Sequence, residues 1–116
     1  MSTVEAPYAV ERADTGGYEP FMIDGAQVGE YRQLGTEGGA ADTLDAGLWR
    51  SEPATYDYFF ATDEVFYVLE GAVTIELPDR GETLELRTGD IGYFKAGTRS
   101  AWTITERFKK FVAVPA

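Results

Sequence analysis

The side chain with the clearest capacity for chemistry in this sequence is Glu64. The chain has no histidine and no cysteine, so the commonest general base and metal ligand and every thiolate nucleophile are missing. Glu64 opens a run to Leu77 that is rich in β-branched and aromatic residues, which predicts a strand. A buried carboxylate is costly unless it is paired, so we expect a partner such as a Tyr hydroxyl, a Trp N–H or Arg99. A carboxylate in an apolar cavity suits a general acid or base.

Strand alternation predicts which side chains share a cavity with Glu64. Residues two and four positions further along the same strand point the same way, and neighbouring strands contribute aromatic rings. The candidate catalytic residue is Glu64, and the candidate substrate-binding residues are Trp49, Tyr58, Phe60, Phe66, Arg99, Ser100 and Trp102. Apolar walls with a few convergent polar groups are typical of a small-molecule site. The same aromatic residues are equally suited to fill a core.

Many short strands separated by Gly and Pro turns must position these residues. The predicted strands are 28–34, 46–52, 55–61, 63–77, 83–87, 91–94, 100–105 and 107–114, and Asp24-Gly25 predicts a hairpin turn before the first of them. Gly71 interrupts the longest strand, which indicates a bend or bulge. Residues 35–45 are rich in Gly, Ala, Asp and Thr and are predicted to form a loop. No window has the apolar spacing of a long amphipathic helix, so we predict an all-β barrel or sandwich.

Two segments carry a resemblance to a known family. Glu64 followed after six residues by Gly71 resembles the end of the first cupin motif, and Gly89, Lys95 and Gly97 resemble the second, with Lys95 where proline is usual. The surrounding segments 47–50, 56–58, 67–71, 97–102 and 107–111 are similar to small single-domain cupins related to ureidoglycine aminohydrolase (the DUF861 family). The resemblance implies an RmlC-like jelly roll, the double-stranded β-helix of cupins. We predict an arm over residues 1–17 and a single cupin domain over residues 18–116.

The resemblance also implies where a metal would be bound in a typical cupin. The family binds a divalent ion through His-x-His, a Glu and a later His, and here only Glu64 keeps its residue type. Tyr58 and Phe60, or Asp57 and Phe59 at the longer spacing, occupy the first pair of positions, and Ser100 occupies the last. One carboxylate does not make a transition-metal site. We therefore predict no metal and no cofactor.

The net charge of −10 disfavours nucleic acids and anionic membrane surfaces as partners. No apolar stretch approaches the length of a membrane span, and the N-terminus lacks the pattern of a secretory signal, so we expect a cytoplasmic protein. Exposed sheet edges favour pairing, which predicts a homodimer, with Phe21–Ile23 as the candidate cover for an edge.

Three functions remain open from the sequence. The first is a metal-free cupin that binds a small organic metabolite, nitrogen-rich or carboxylated. The second is a metal-independent isomerase, lyase or epimerase in which Glu64 and a Tyr transfer protons. The third is a structural or regulatory dimer without chemistry in its cavity. An open cavity around Glu64 favours the first two.

Overall fold

The computed structural model describes residues 8–14, 16–35 and 44–115, and every regular element among them is a β-strand. The strands are β1 (Glu19–Ile23), β2 (Ala26–Gln33), β3 (Leu44–Ser51), β4 (Ala54–Phe59), β5 (Glu64–Leu77), β6 (Glu82–Arg87), β7 (Ile91–Phe94) and β8 (Arg99–Pro115). The predicted all-β fold is confirmed. The predicted strands 100–105 and 107–114 form one continuous strand, β8. Most of the predicted loop 35–45 lies outside the described residues.

All pairings are antiparallel, and the two long strands β5 and β8 hold the sheet together. The strand order is β1-β2-β3-β8-β5-β6, while β4 pairs with β8 and β7 pairs with β5. Each long strand therefore has one set of neighbours along its first half and another along its second half. The sheet bends at the middle of these strands and closes around a single core, as in a jelly roll. No helix in the described part of the chain is long and apolar enough to cross a membrane.

At Gly71 the buried face of β5 changes from the even-numbered to the odd-numbered residues. Before it the buried positions are Glu64, Phe66 and Val68, and after it they are the odd-numbered Val73, Ile75 and Leu77. The pairing register with β8 shifts on both sides of Gly71, as in a bulge. Its φ of +88° favours glycine, and a Cβ there would collide with the backbone carbonyl of Arg107. The predicted bend is confirmed.

The hairpin between β1 and β2 adds an outer flap to the sheet. Asp24 and Gly25 both have positive φ, 49° and 82°, as a two-residue type I′ turn requires. Phe21 and Ile23 line a cavity, and β1 itself stands at one edge of the sheet. The role of this segment in pairing with a second copy stays a prediction. The described part of the predicted arm contains no strand, and Glu11 ties it to the body through an ion pair of 2.7 Å with Arg32.

Candidate functional site

A cavity of about 160 Å³ lies between the β1–β2 hairpin and the inward-facing side chains of β3, β4, β5 and β8. Aliphatic and aromatic side chains form most of its wall, and three charged side chains reach it. The cavity is lined by Phe21, Ile23, Val28, Tyr31, Asp45, Trp49, Tyr56, Tyr58, Glu64, Trp102, Lys110, Val112 and Val114. An engineered apolar cavity of roughly 150 Å³ binds benzene. The cavity therefore has space for a ligand with about one ring.

Glu64 is buried, with 4% of its surface exposed, and both of its carboxylate oxygens are bonded. The Tyr58 hydroxyl donates to Oε1 at 3.0 Å, and the Lys110 ammonium lies 2.9 Å from Oε2. A Tyr hydroxyl was one of the partners expected from the sequence. Arg99, another expected partner, instead pairs with Asp79 on the exposed surface at 2.7 Å. The acid thus has a phenol on one side and a cation on the other.

Lys110 is the functional candidate that sequence reasoning missed. In the sequence it stands next to Lys109 and near Arg107 in a short basic cluster, yet only 6% of Lys110 is exposed. Alternation along β8 carries the signal, because Trp102, Ile104, Phe108, Lys110 and Val112 are all even-numbered and all buried. The lysine stands on the same inward face as the tryptophan.

The Lys110 ammonium is surrounded by aromatic rings. Its Nζ lies 4.6 Å from the ring centroids of both Phe66 and Trp102 and 5.3 Å from that of Trp49, which is within cation–π range. Burial lowers the pKa of Lys110, and the neighbouring Glu64 carboxylate opposes this shift. A lysine in these surroundings releases a proton more easily than one on the surface.

Three tyrosines near the cavity have raised phenolic pKa values. Burial, with a smaller contribution from Asp45, raises the pKa of Tyr31 to about 12. Burial also raises the pKa values of Tyr56 and Tyr58, and the Glu64 charge adds to both shifts. At neutral pH these hydroxyls are therefore protonated and able to donate hydrogen bonds.

Both indole N–H groups are satisfied by the protein. Trp49 Nε1 donates to the carbonyl of Val28 at 3.0 Å, and Trp102 Nε1 donates to Ser100 Oγ at 3.0 Å. Ser100 Oγ in turn donates to the carbonyl of Tyr58 at 2.7 Å. The tryptophans therefore offer a ligand their ring surfaces, and the polar contacts of the cavity come from the acid, the lysine and the phenols.

The structure brings half of the predicted site residues to the cavity. Trp49, Tyr58, Glu64 and Trp102 line it. Phe60, Phe66 and Ser100 are buried but are not among the lining residues, and Phe60 stacks on Phe94 with centroids 4.7 Å apart. Arg99 lies outside the cavity, where it pairs with Asp79 on the exposed surface. The roles of these residues in binding stay predictions.

The residues at the usual metal-binding positions do not fit a transition metal. They offer a phenol at Tyr58, a phenyl ring at Phe60 and a hydroxyl at Ser100, together with the carboxylate of Glu64. The described residues contain no group of three or more His, Cys, Asp or Glu side chains able to hold an ion. Lys110 already places a cation against Glu64. The prediction of a metal-free protein therefore rests on this donor set.

A small jelly roll with an acid facing an internal cavity belongs to the cupin class of proteins. Within that class, this chain is a member of the EutQ-like cupin domain family, which it matches over residues 38–111. The small cupin family expected from the motifs is confirmed. No curated protein matches the chain.

Three solved structures are similar to the structure of this chain. The polyketide cyclase RemF from Streptomyces resistomycificus is 25% identical, with a TM-score of 0.76, over 95% of this chain and 80% of that one. A DUF861 family protein from Thermotoga maritima is 31% identical, with a TM-score of 0.54, over 56% of this chain and 73% of that one. The Clostridium difficile EutQ protein is 17% identical, with a TM-score of 0.64, over 74% of this chain and 66% of that one.

Proposed function

We propose that this protein binds a small, flat organic molecule of about one ring in its cavity. The observation that carries the proposal is an open cavity of about 160 Å³ with aromatic walls, into which one buried acid and one buried lysine project. A structural protein without a ligand has no need to keep this space open or to bury charges beside it, because both are costly.

The charges along the wall disfavour an anionic ligand. Asp45 and Glu64 supply two carboxylates, and Lys110 supplies one ammonium. A carboxylated ligand would add a third negative charge near a single cation, and like charges at close range disfavour each other. Of the nitrogen-rich and carboxylated molecules expected from the sequence, the carboxylated ones are therefore the less favoured.

Tryptophan fluorescence gives a direct test of binding. The chain has two tryptophans, Trp49 and Trp102, and both line the cavity. Titration with a panel of neutral one-ring compounds, acetophenone included, should change the emission with a saturable dependence on concentration. Val28→Phe, which fills the cavity, should abolish the response. Val10→Phe, the same change at an 85% exposed position, should leave it intact. A panel that changes nothing in the parent protein would refute binding.

A second candidate function is acid–base catalysis without a metal. The pairing of Glu64 with both Tyr58 and Lys110 favours it, because such groups supply a base and hydrogen-bond donors within one cavity. The similarity to a polyketide cyclase over 95% of the chain adds support, since its name implies a substrate with several carbonyl groups. Turnover of a carbonyl compound that is lost in Glu64→Gln is the expected result.

The predicted cytoplasmic location and homodimer remain proposals. The lack of cysteine is compatible with a reducing compartment. Fractionation of the producing cells tests the location, and recovery of the protein outside the cytoplasm would refute it.

A further inference from the structure

We propose that Lys110 and Glu64 act together to remove a proton from the carbon beside the carbonyl group of a neutral ketone. In this scheme the Lys110 ammonium binds the carbonyl oxygen, and a Glu64 oxygen accepts the proton. The inference rests on the proposed binding function and names its substrate class. It assigns to a lysine the stabilisation of negative charge that a metal cation would otherwise provide.

The Lys110 ammonium has donor capacity to spare. It carries three N–H donors, and Glu64 is the only hydrogen-bond acceptor assigned to it among the described residues. Aromatic rings occupy much of its remaining surroundings and accept no conventional hydrogen bond. The ammonium also lines the cavity. A ligand oxygen is the kind of partner that this arrangement leaves room for.

The spacing of the two groups matches the atoms of an enolisable ketone. Lys110 Nζ and Glu64 Oε2 lie 2.9 Å apart on the wall of one cavity. In a ketone the carbonyl oxygen and the adjacent carbon are about 2.4 Å apart, as follows from the C=O and C–C bond lengths. One bound molecule can therefore place its oxygen near the ammonium and its C–H near the carboxylate.

The proposed step is balanced without any further reactant. The C–H bond breaks, its electron pair forms the new C=C bond, and the carbonyl π pair moves to the oxygen as an enolate held by the ammonium. The proton goes to Glu64, whose carboxylate retains lone pairs beyond those used by Tyr58 and Lys110. Return of a proton from Glu64 regenerates the ketone. In D₂O the protonated Glu64 first exchanges its proton for a deuteron of the solvent, and the deuteron is then delivered to the enolate carbon. Repeated cycles replace the methyl hydrogens of a methyl ketone by deuterium.

Acetophenone and α-methylstyrene form a matched pair of probes, since the second replaces C=O by C=CH₂ with nearly the same shape. The loss of the acetophenone methyl signal in D₂O is followed by proton NMR. We expect the protein to accelerate exchange by roughly 10²–10⁴-fold over protein-free buffer, which is the usual range of general acid–base catalysis. Excess α-methylstyrene should suppress the acceleration by occupying the cavity.

Variants assign the effect to the two residues. Lys110→Met and Glu64→Gln should return exchange to the buffer rate, whereas Lys109→Met on the opposite face of β8 should keep it. If Lys110→Met does not fold, Lys110→Arg tests the same point, because it keeps the charge but not the geometry, and should lose most of the acceleration. Exchange at the buffer rate while fluorescence shows bound acetophenone would overturn this inference and leave the binding function standing. Acetophenone that does not bind at millimolar concentration would overturn this inference, whereas the binding function falls only if the whole panel of neutral compounds leaves the fluorescence unchanged.

Discussion

Lys110 lies opposite Val68 in the β5–β8 ladder, yet its ammonium is bonded to Glu64, which is four residues earlier on β5. The lysine side chain reaches this partner past Phe66, whose ring centroid is 4.6 Å from Nζ. The two charges therefore meet inside the apolar interior, where both side chains are buried. Each one stabilises the other only as long as both are present.

The first prediction concerns this ion pair. Glu64→Gln and Lys110→Met should each lower the free energy of unfolding by about 3–5 kcal/mol, because each leaves an uncompensated buried group. The double variant should be less destabilised than the sum of the two single variants. Urea unfolding at neutral pH measures all four proteins. Single variants that unfold at the parent's urea concentration would contradict a buried pair.

Part of the site was accessible to sequence reasoning because alternation within one strand fixes its face. The inward direction of Glu64 was predicted in this way, while the cupin motif spacing brought Tyr58 to the same cavity, and both line it together with Trp102. Lys110 was not found, because two adjacent lysines resemble a surface cluster and only the parity shared with Trp102 separates them. Phe21 and Ile23 were missed for another reason. Their contact with the cavity depends on how the hairpin folds over the barrel, and local sequence does not encode that angle.

The second prediction concerns metal. The purified, dialysed protein should contain well under one equivalent of transition metal, because the Lys110 cation occupies the Glu64 carboxylate and the other positions offer weak ligands. Elemental analysis by mass spectrometry measures the content. Stoichiometric manganese, iron, nickel or zinc that disappears in Glu64→Gln would refute the prediction.

The third prediction concerns alkaline pH. A phenol whose pKa is raised by folding stabilises the fold fully below its unfolded pKa of about 10, and the contribution is lost as the pH rises through the folded pKa. For Tyr31 this window runs from about 10 to about 12. Tyr56 and Tyr58 are shifted in the same direction, so stability should fall steeply above pH 10. Urea midpoints at pH 9 and 11 measure the fall, and Tyr56→Phe should reduce it. An equal fall in both proteins would exclude Tyr56 as a contributor.

The fourth prediction compares two glycines with nearly the same backbone conformation. Gly71 and Gly97 have φ values of +88° and +89°, but a Cβ at Gly71 would strike the carbonyl of Arg107, whereas nothing lies within 4 Å of a Cβ at Gly97. Gly97→Ala should cost about 1 kcal/mol of backbone strain. Gly71→Ala should cost at least twice that, since the β5–β8 bulge must also open. Equal urea midpoints for the two variants would show that the contact at Gly71 is unimportant.

The last prediction concerns assembly. Five large apolar side chains are exposed together on the outer face of β7, β5 and β8, and they are Val65, Tyr67, Ile91, Tyr93 and Phe111. Tyr67 is at the centre, paired with Ile91 on one side and Phe111 on the other. A contiguous apolar patch on an acidic protein is typical of an interaction surface, and a two-fold dimer is the simplest closed assembly.

This outer face is a second candidate for the dimer contact beside the segment Phe21–Ile23, which belongs to β1 at the edge of the sheet. Light scattering at micromolar concentration should give twice the 12.8 kDa mass of the chain. Tyr67→Glu should give the monomer mass, since a carboxylate at the centre of the patch would have to be buried without a partner. Val10→Glu, at an 85% exposed position outside the patch, should leave the dimer unchanged. A parent protein that scatters as a 12.8 kDa particle would refute the dimer.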